Sequence, residues 1–134
     1  MNFSLINWLA VVAAGLSSFI VGGIWYAQPV FGKAWMTDSK LTEENIKSGS
    51  MAKTFGFTAF FSLLMAVNLA MFLADAKTTA AWGAEAGFLA GIWTFCAIAI
   101  HSLFEQRSWR HIFINGLYSV VSLTLMGFII GAWR

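Results

Sequence analysis

The sequence predicts an all-α membrane protein: four transmembrane helices in two antiparallel hairpins, with a short cytoplasmic surface helix in the first loop. Three observations predict it. Met1–Gly32, Thr54–Ala74, Ala86–Phe104 and His111–Trp133 contain no Asp, Glu, Lys or Arg. Each is long enough to span, since about 20 apolar residues rising ~1.5 Å each cross the ~30 Å hydrocarbon core of a bilayer. Of the 134 residues, 59% are hydrophobic and only 10% are charged, against roughly 25% charged in a soluble domain. Finally, nearly every charge falls between the four stretches. The expected spans cover about residues 5–27, 53–74, 84–105 and 111–133 of a single domain over residues 1–134.

The first span lacks the positive start and small-residue cleavage site of a signal peptide, because no Lys or Arg precedes Lys33 and the run ends in Trp25-Tyr26. It therefore reads as a retained helix, broken after Tyr26 by Pro29 and Gly32. In the loop that follows, Thr42 has the chemistry of an N-cap and Glu43 and Glu44 favour a helix start. Gly49 ends that polar helix, from which Leu41 and Ile46 can dip toward lipid. Lys33, Lys40, Lys47 and Lys53 lie in the first loop and Arg107 and Arg110 in the third, whereas the other side has Lys77 and Arg134. This asymmetry places the first and third loops in the cytoplasm and both termini outside. Tryptophans agree: Trp8, Trp82 and Trp133 fall at one interface and Trp25, Trp35 and Trp109 near the other, with Trp93 at mid-membrane.

Helices in lipid associate by close backbone approach, so small residues four apart mark contact faces. The third span carries Gly83, Gly87 and Gly91, the first Ala14, Ser18 and Gly22, and the fourth Gly127 and Gly131. With so many seams in one short chain, some are expected to serve between subunits, giving a homo-oligomer, preferably a dimer.

Composition excludes several classes of function. The net charge of +2 is explained by topology, so nucleic acid is not an expected partner. Cys96 is the only cysteine, which rules out an internal disulfide or a cysteine-rich zinc site. No cofactor or catalytic motif is present, and two histidines without ligand spacing point to no metal.

Polar groups inside lipid are costly and so are the first functional suspects. They are Asn68; His101 and Glu105; and Asn115, Tyr118, Ser119 and Ser122. His101 and Glu105 are four residues apart and share a helix face, so the carboxylate can hold the imidazole or raise its proton affinity. A tight turn through Arg107–Arg110 is expected to bring that pair opposite Asn115 and Tyr118. With Arg107, this makes a polar cluster that can relay protons, bind a ligand or simply hold the hairpin together.

The run Gly23-Ile24-Trp25-Tyr26, Pro29, Phe31-Gly32-Lys33 and Trp35-Met36, taken with Phe104-Glu105, Arg107, Trp109, Ile114-Asn115 and Tyr118, resembles an uncharacterised bacterial family of small four-helix membrane proteins, a domain of unknown function. The resemblance covers nearly the whole chain. It implies the membrane fold and a bacterial cytoplasmic membrane, and no activity. Its motif residues Trp25, Tyr26, Pro29, Phe31, Gly32 and Trp35 mark the cytoplasmic end of the first helix as a place to look.

The leading functional reading is a non-enzymatic membrane protein that binds or conducts an ion or small molecule at the cytoplasmic-side cluster, surrounded by membrane lipids. An accessory subunit of a larger membrane complex is the alternative. A third possibility is an enzyme similar to the small glutathione-using membrane enzymes, with Arg107, Arg110, Asn115 and Tyr118 holding an anionic thiol.

Overall fold

The computed structural model describes residues 1–134, all helix and connection with no strand. Six α-helices follow one another: α1 (Trp8–Trp25), α2 (Lys33–Ser39), α3 (Glu43–Ser48), α4 (Met51–Phe72), α5 (Ala80–Phe104) and α6 (Trp109–Ala132). Four of them, α1, α4, α5 and α6, are long and apolar enough to cross a membrane.

Local chemistry sets their starts. Asn7 accepts hydrogen bonds from Leu9 N and Ala10 N, Ser50 from Lys53 N, Thr79 from Trp82 N and Ser108 from His111 N. Each thereby satisfies an otherwise orphaned first-turn amide. These caps explain why α4, α5 and α6 begin before their uncharged stretches: Lys53 and Arg110 ride in the first turns of α4 and α6 and Glu85 in the second turn of α5, all exposed. Thr42 forms a reciprocal capping box with Asn45 at the start of α3, and Gly49 is its C-cap.

The connection after α1 departs from a simple break. A single π-helical turn, Gln28–Gly32, carries Pro29 at its start, where no amide is needed. It leads directly into α2, a helix the sequence reading missed. Gly32 is required there, because a Cβ would collide with the Tyr26 carbonyl oxygen.

The α5–α6 seam is the tightest contact in the chain. Gly83 lies against Gly127 and Gly131, Gly87 against Leu123, Gly91 against Val120, and Phe95 against Gly116, so the two helices run antiparallel. Along α1, Ala14 is fully buried, Ser18 accepts from Tyr118 and Gly22 meets the Tyr118 ring. All three small-residue faces are thus occupied within one chain. α4 runs antiparallel to α1, with Gly15 against Leu63. α6 is the central helix, packing on α5, α1, α4 and α2, while α5 packs almost wholly on α6.

The core is displaced toward the end that carries the termini. Val11 and Ala14, Ala66, Leu69, Ala70 and Leu73, and Leu123, Met126 and Ile130 form one buried cluster. Asn2 N donates to Ala74 O, Asn7 Nδ2 to Trp133 O, and the Arg134 guanidinium donates to the Leu73 and Asp75 carbonyls at the end of α4. At the other end, which carries Lys33, Lys40, Lys47, Lys53, Arg107 and Arg110 and is called the basic end below, α4 loses its partners. Met51–Phe61 is exposed apart from Ala59, with Phe55, Phe57, Phe60 and Phe61 all more than half exposed. Small residues let α4 close on α1 beyond Ser62. The phenylalanine-rich half stands away from it.

Candidate functional site

The gap left by α4 is a groove at the basic end with a volume of about 810 Å³. Ser18, Phe19, Gly22, Gly23 and Tyr26 of α1 form one wall, and Thr54, Phe55 and Thr58 of α4 the opposite one. Asn115 and Tyr118 of α6 form the floor, and Trp35, Met36, Glu43, Ile46 and Lys47 of α2 and α3 lie over the mouth with Gln28. Gln28 Nε2 donates to the Glu43 carboxylate, tying the α1–α2 connection to α3.

A polar chain runs from the floor through the bundle. The Tyr26 hydroxyl donates to Asn115 Oδ1 at 2.7 Å, and Asn115 Nδ2 lies 3.1 Å from His111 Nε2. His111 Nδ1 lies 3.4 Å from Ser39 Oγ. With the amide so oriented, Nε2 is the unprotonated ring nitrogen and the proton sits on Nδ1, facing Ser39. Beside this chain the Tyr118 hydroxyl donates to the Ser18 carbonyl at 3.0 Å, and Trp25 Nε1 donates to Ile114 O at 2.8 Å. Both tie α1 to α6. Aromatic contacts complete the arrangement: Tyr26 meets Trp35 and Tyr118 edge to face, each at 5.4 Å between centroids, and Trp25 meets Phe31 at 4.7 Å. Hence Trp25, Tyr26, Phe31 and Trp35 at the end of α1 gather around Ile114, Asn115 and Tyr118 of α6, while Pro29 and Gly32 shape the turn that returns Trp35 to the groove.

The expected juxtaposition of His101 and Glu105 with Asn115 and Tyr118 is corrected by the structure. His101 is exposed on α5, and Glu105 is the exposed C-cap residue of α5, 3.9 Å from Arg107. The reason is the rotation of α6. Its glycine seam faces α5, and at about 100° per residue this turns Asn115 and Tyr118 toward α1 instead. Arg107 and Arg110 are also held outside the groove. Arg110 makes a bidentate pair with Asp38, 2.7 Å in both arms, and Arg107 donates to the Asp38 carbonyl. The Arg110 hydrogen bonds hold the Asp38 carboxyl below the usual carboxylate value. No arginine therefore reaches the groove to hold an anionic thiol. Asn68 is exposed on α4 and Ser122 buried on α6 with an unpartnered hydroxyl.

Sequence reasoning missed several residues of the site. The i, i+4 spacing of His111 and Asn115 was a legible signal for their contact. Glu43, Lys47, Thr54, Phe55 and Thr58 carried none, since only the splay of α4 brings them to the groove. Asp38 also gave no signal, because its partner lies 72 positions away.

Four apolar helices of spanning length, with a ligand-sized groove at one end, define a small all-α membrane protein. Over residues 9–131 the chain matches the family described as Protein of unknown function (DUF1761), and it belongs to that family. No curated protein and no solved structure matches it.

Proposed function

We propose that the chain is an integral membrane protein that binds a small amphipathic molecule in the groove between α1, α4 and α6, with the basic end facing the cytoplasm. The observation that carries this reading is the groove itself. At about 810 Å³ it falls within the ~300–1,000 Å³ typical of small-molecule sites, and its mix of aromatic walls and a few convergent polar groups is what such sites have. Binding is favoured over conduction because the buried layer of Val11, Ala14, Leu69 and Met126 lies beyond the groove, whereas passage of an ion calls for a polar or water-filled path. The cytoplasmic orientation is supported by six of the eight basic residues lying at that end.

Gly23→Trp tests this directly. Gly23 lines the groove, and a Cβ there meets nothing within 4 Å, so an indole can enter the space without moving the backbone. Purified in a neutral detergent, the parent protein should retain an amphipathic small molecule visible by native mass spectrometry. Gly23→Trp should lose it while keeping the parent's far-ultraviolet circular dichroism and a cooperative thermal transition. Equal retention by both proteins would overturn the assignment, as would an empty parent protein.

A further inference from the structure

The hydrogen-bonding capacity left over at the groove floor specifies the chemistry of the head group. Each phenol carries one hydrogen, and both are already donated: Tyr26 to Asn115 Oδ1 and Tyr118 to the Ser18 carbonyl. The Asn115 amide nitrogen faces His111 Nε2. Tyr26 and Tyr118 therefore meet a ligand as acceptors only. Around them, three electron-rich rings, Tyr26, Trp35 and Tyr118, line the space with centroids 5.4 Å apart in the two contacting pairs. The charged residues of the lining, Glu43 and Lys47, have opposite sign, and Arg107 and Arg110 are engaged outside the groove by Asp38.

An anionic head placed on the two phenols would meet oxygen lone pairs, with only the second N–H of the neutral Asn115 amide left on the floor to receive it. A head rich in N–H groups finds its acceptors in place, and a positive charge adds attraction to the rings. We propose that the groove takes the ammonium head of an amphipathic primary amine, its N–H groups on the Tyr26 and Tyr118 oxygens and its apolar chain along Phe19 and Phe55. This rests on the groove being the ligand site proposed above. The same ammonium chemistry is offered by a free alkylamine and by the headgroup of phosphatidylethanolamine.

The full chain in phosphatidylcholine nanodiscs can be titrated by equilibrium dialysis with four probes that share one tail: decylammonium, decyltrimethylammonium, decanol and decyl sulfate. Gly23→Trp nanodiscs supply the background. Decylammonium should bind tightest, with decyl sulfate at least about tenfold weaker. Tyr118→Phe should weaken decylammonium about tenfold and leave decyltrimethylammonium, which has no N–H, unchanged; the second probe also reports that the groove is still folded. Trp35→Leu should weaken both cations by about three- to thirtyfold. Adding phosphatidylethanolamine to the disc separates the two sources, since a lipid headgroup in the groove suppresses decylammonium binding and a free-amine site is left unaffected. Decyl sulfate binding as tightly as decylammonium, with both abolished by Gly23→Trp, would overturn the ammonium assignment and leave the groove standing. Probe binding that is indifferent to Gly23→Trp would remove the groove itself.

Discussion

Gly87→Ala should loosen α5 from the bundle. A Cβ at Gly87 would fall on the Leu123 carbonyl oxygen, 2.8 Å from its carbonyl carbon and 3.1 Å from Thr124 Cα. All three atoms are backbone, so no change of rotamer makes room. Ordinary van der Waals contact begins near 3.4 Å, and the two helices must part to restore it. Gly83 and Gly91 lie on the same seam, opposite Gly127 and Val120, so parting at Gly87 thins the contact along much of its length. Since α5 packs almost wholly on α6, it has little else to hold it. Overpacking costs typically ~1–3 kcal/mol, and a clash between two backbones belongs at the upper end. The better helix propensity of Ala offsets at most ~1 kcal/mol, which leaves a net loss of about 2 kcal/mol, or roughly thirtyfold in the folded-to-unfolded ratio. Gly23→Ala is the control, because its Cβ meets nothing within 4 Å and the propensity gain of ~0.5–1 kcal/mol stands alone. Unfolding of both variants in mixed micelles, by titration with sodium dodecyl sulfate and far-ultraviolet circular dichroism, measures the difference. Gly87→Ala as stable as the parent would refute the reasoning, because the seam would then open without cost.

Gln106 sits in the left-handed region, φ 59°, in the turn between α5 and α6; glycine adopts that conformation without the ~1–2 kcal/mol that a side chain costs. Gln106→Gly should therefore raise stability by about 1 kcal/mol in the same unfolding assay. The attachment of α2 to α6 should depend on pH. Asp38 ionises below its ordinary value of 3.8 because Arg110 hydrogen-bonds its carboxylate, so the stabilisation is fully present above about pH 3.8 and is lost as pH falls through the lowered folded value. Hydrogen exchange of the α2 amides, followed from neutral to acid pH, should show protection fading only on the acid side of that point. Asp38→Asn should lack this acid step.

Much of the fold was legible in local chemistry. The four spanning helices follow from uncharged length, and α3 from Thr42, its acidic first turn and Gly49, because each of these depends on residues a few positions apart. The helix starts were less legible from hydropathy, which stops at Lys53, Glu85 and Arg110. The backbone continues past such residues to the nearest side chain able to cap it, at Ser50, Thr79 and Ser108. α2 was hidden for a related reason, since Pro29 and Gly32 are as compatible with a tight turn inside a helical path as with a break.

Of the residues that line the groove, the sequence reading had singled out Tyr26, Trp35, Asn115 and Tyr118, and it set the last two opposite His101 and Glu105, which lie outside the groove. Intramembrane polarity and shared helix faces select residues one helix at a time. They do not say how two helices are rotated against each other.

By itself, then, the sequence determined the number of helices long and apolar enough to span a membrane, the gathering of basic residues in particular connections and the glycine faces available for contact, all properties of single segments. Only the tertiary structure decided that the glycine seam would turn α6 so that Asn115 and Tyr118 meet α1, that His101 and Glu105 would be left outside, and that α4 would stand off to open the groove. The physical reason is that helix rotation and splay are set by backbone-to-backbone contacts between residues far apart in the chain, such as Gly83 with Gly127 and Gly15 with Leu63. Those contacts exist only once the helices have packed.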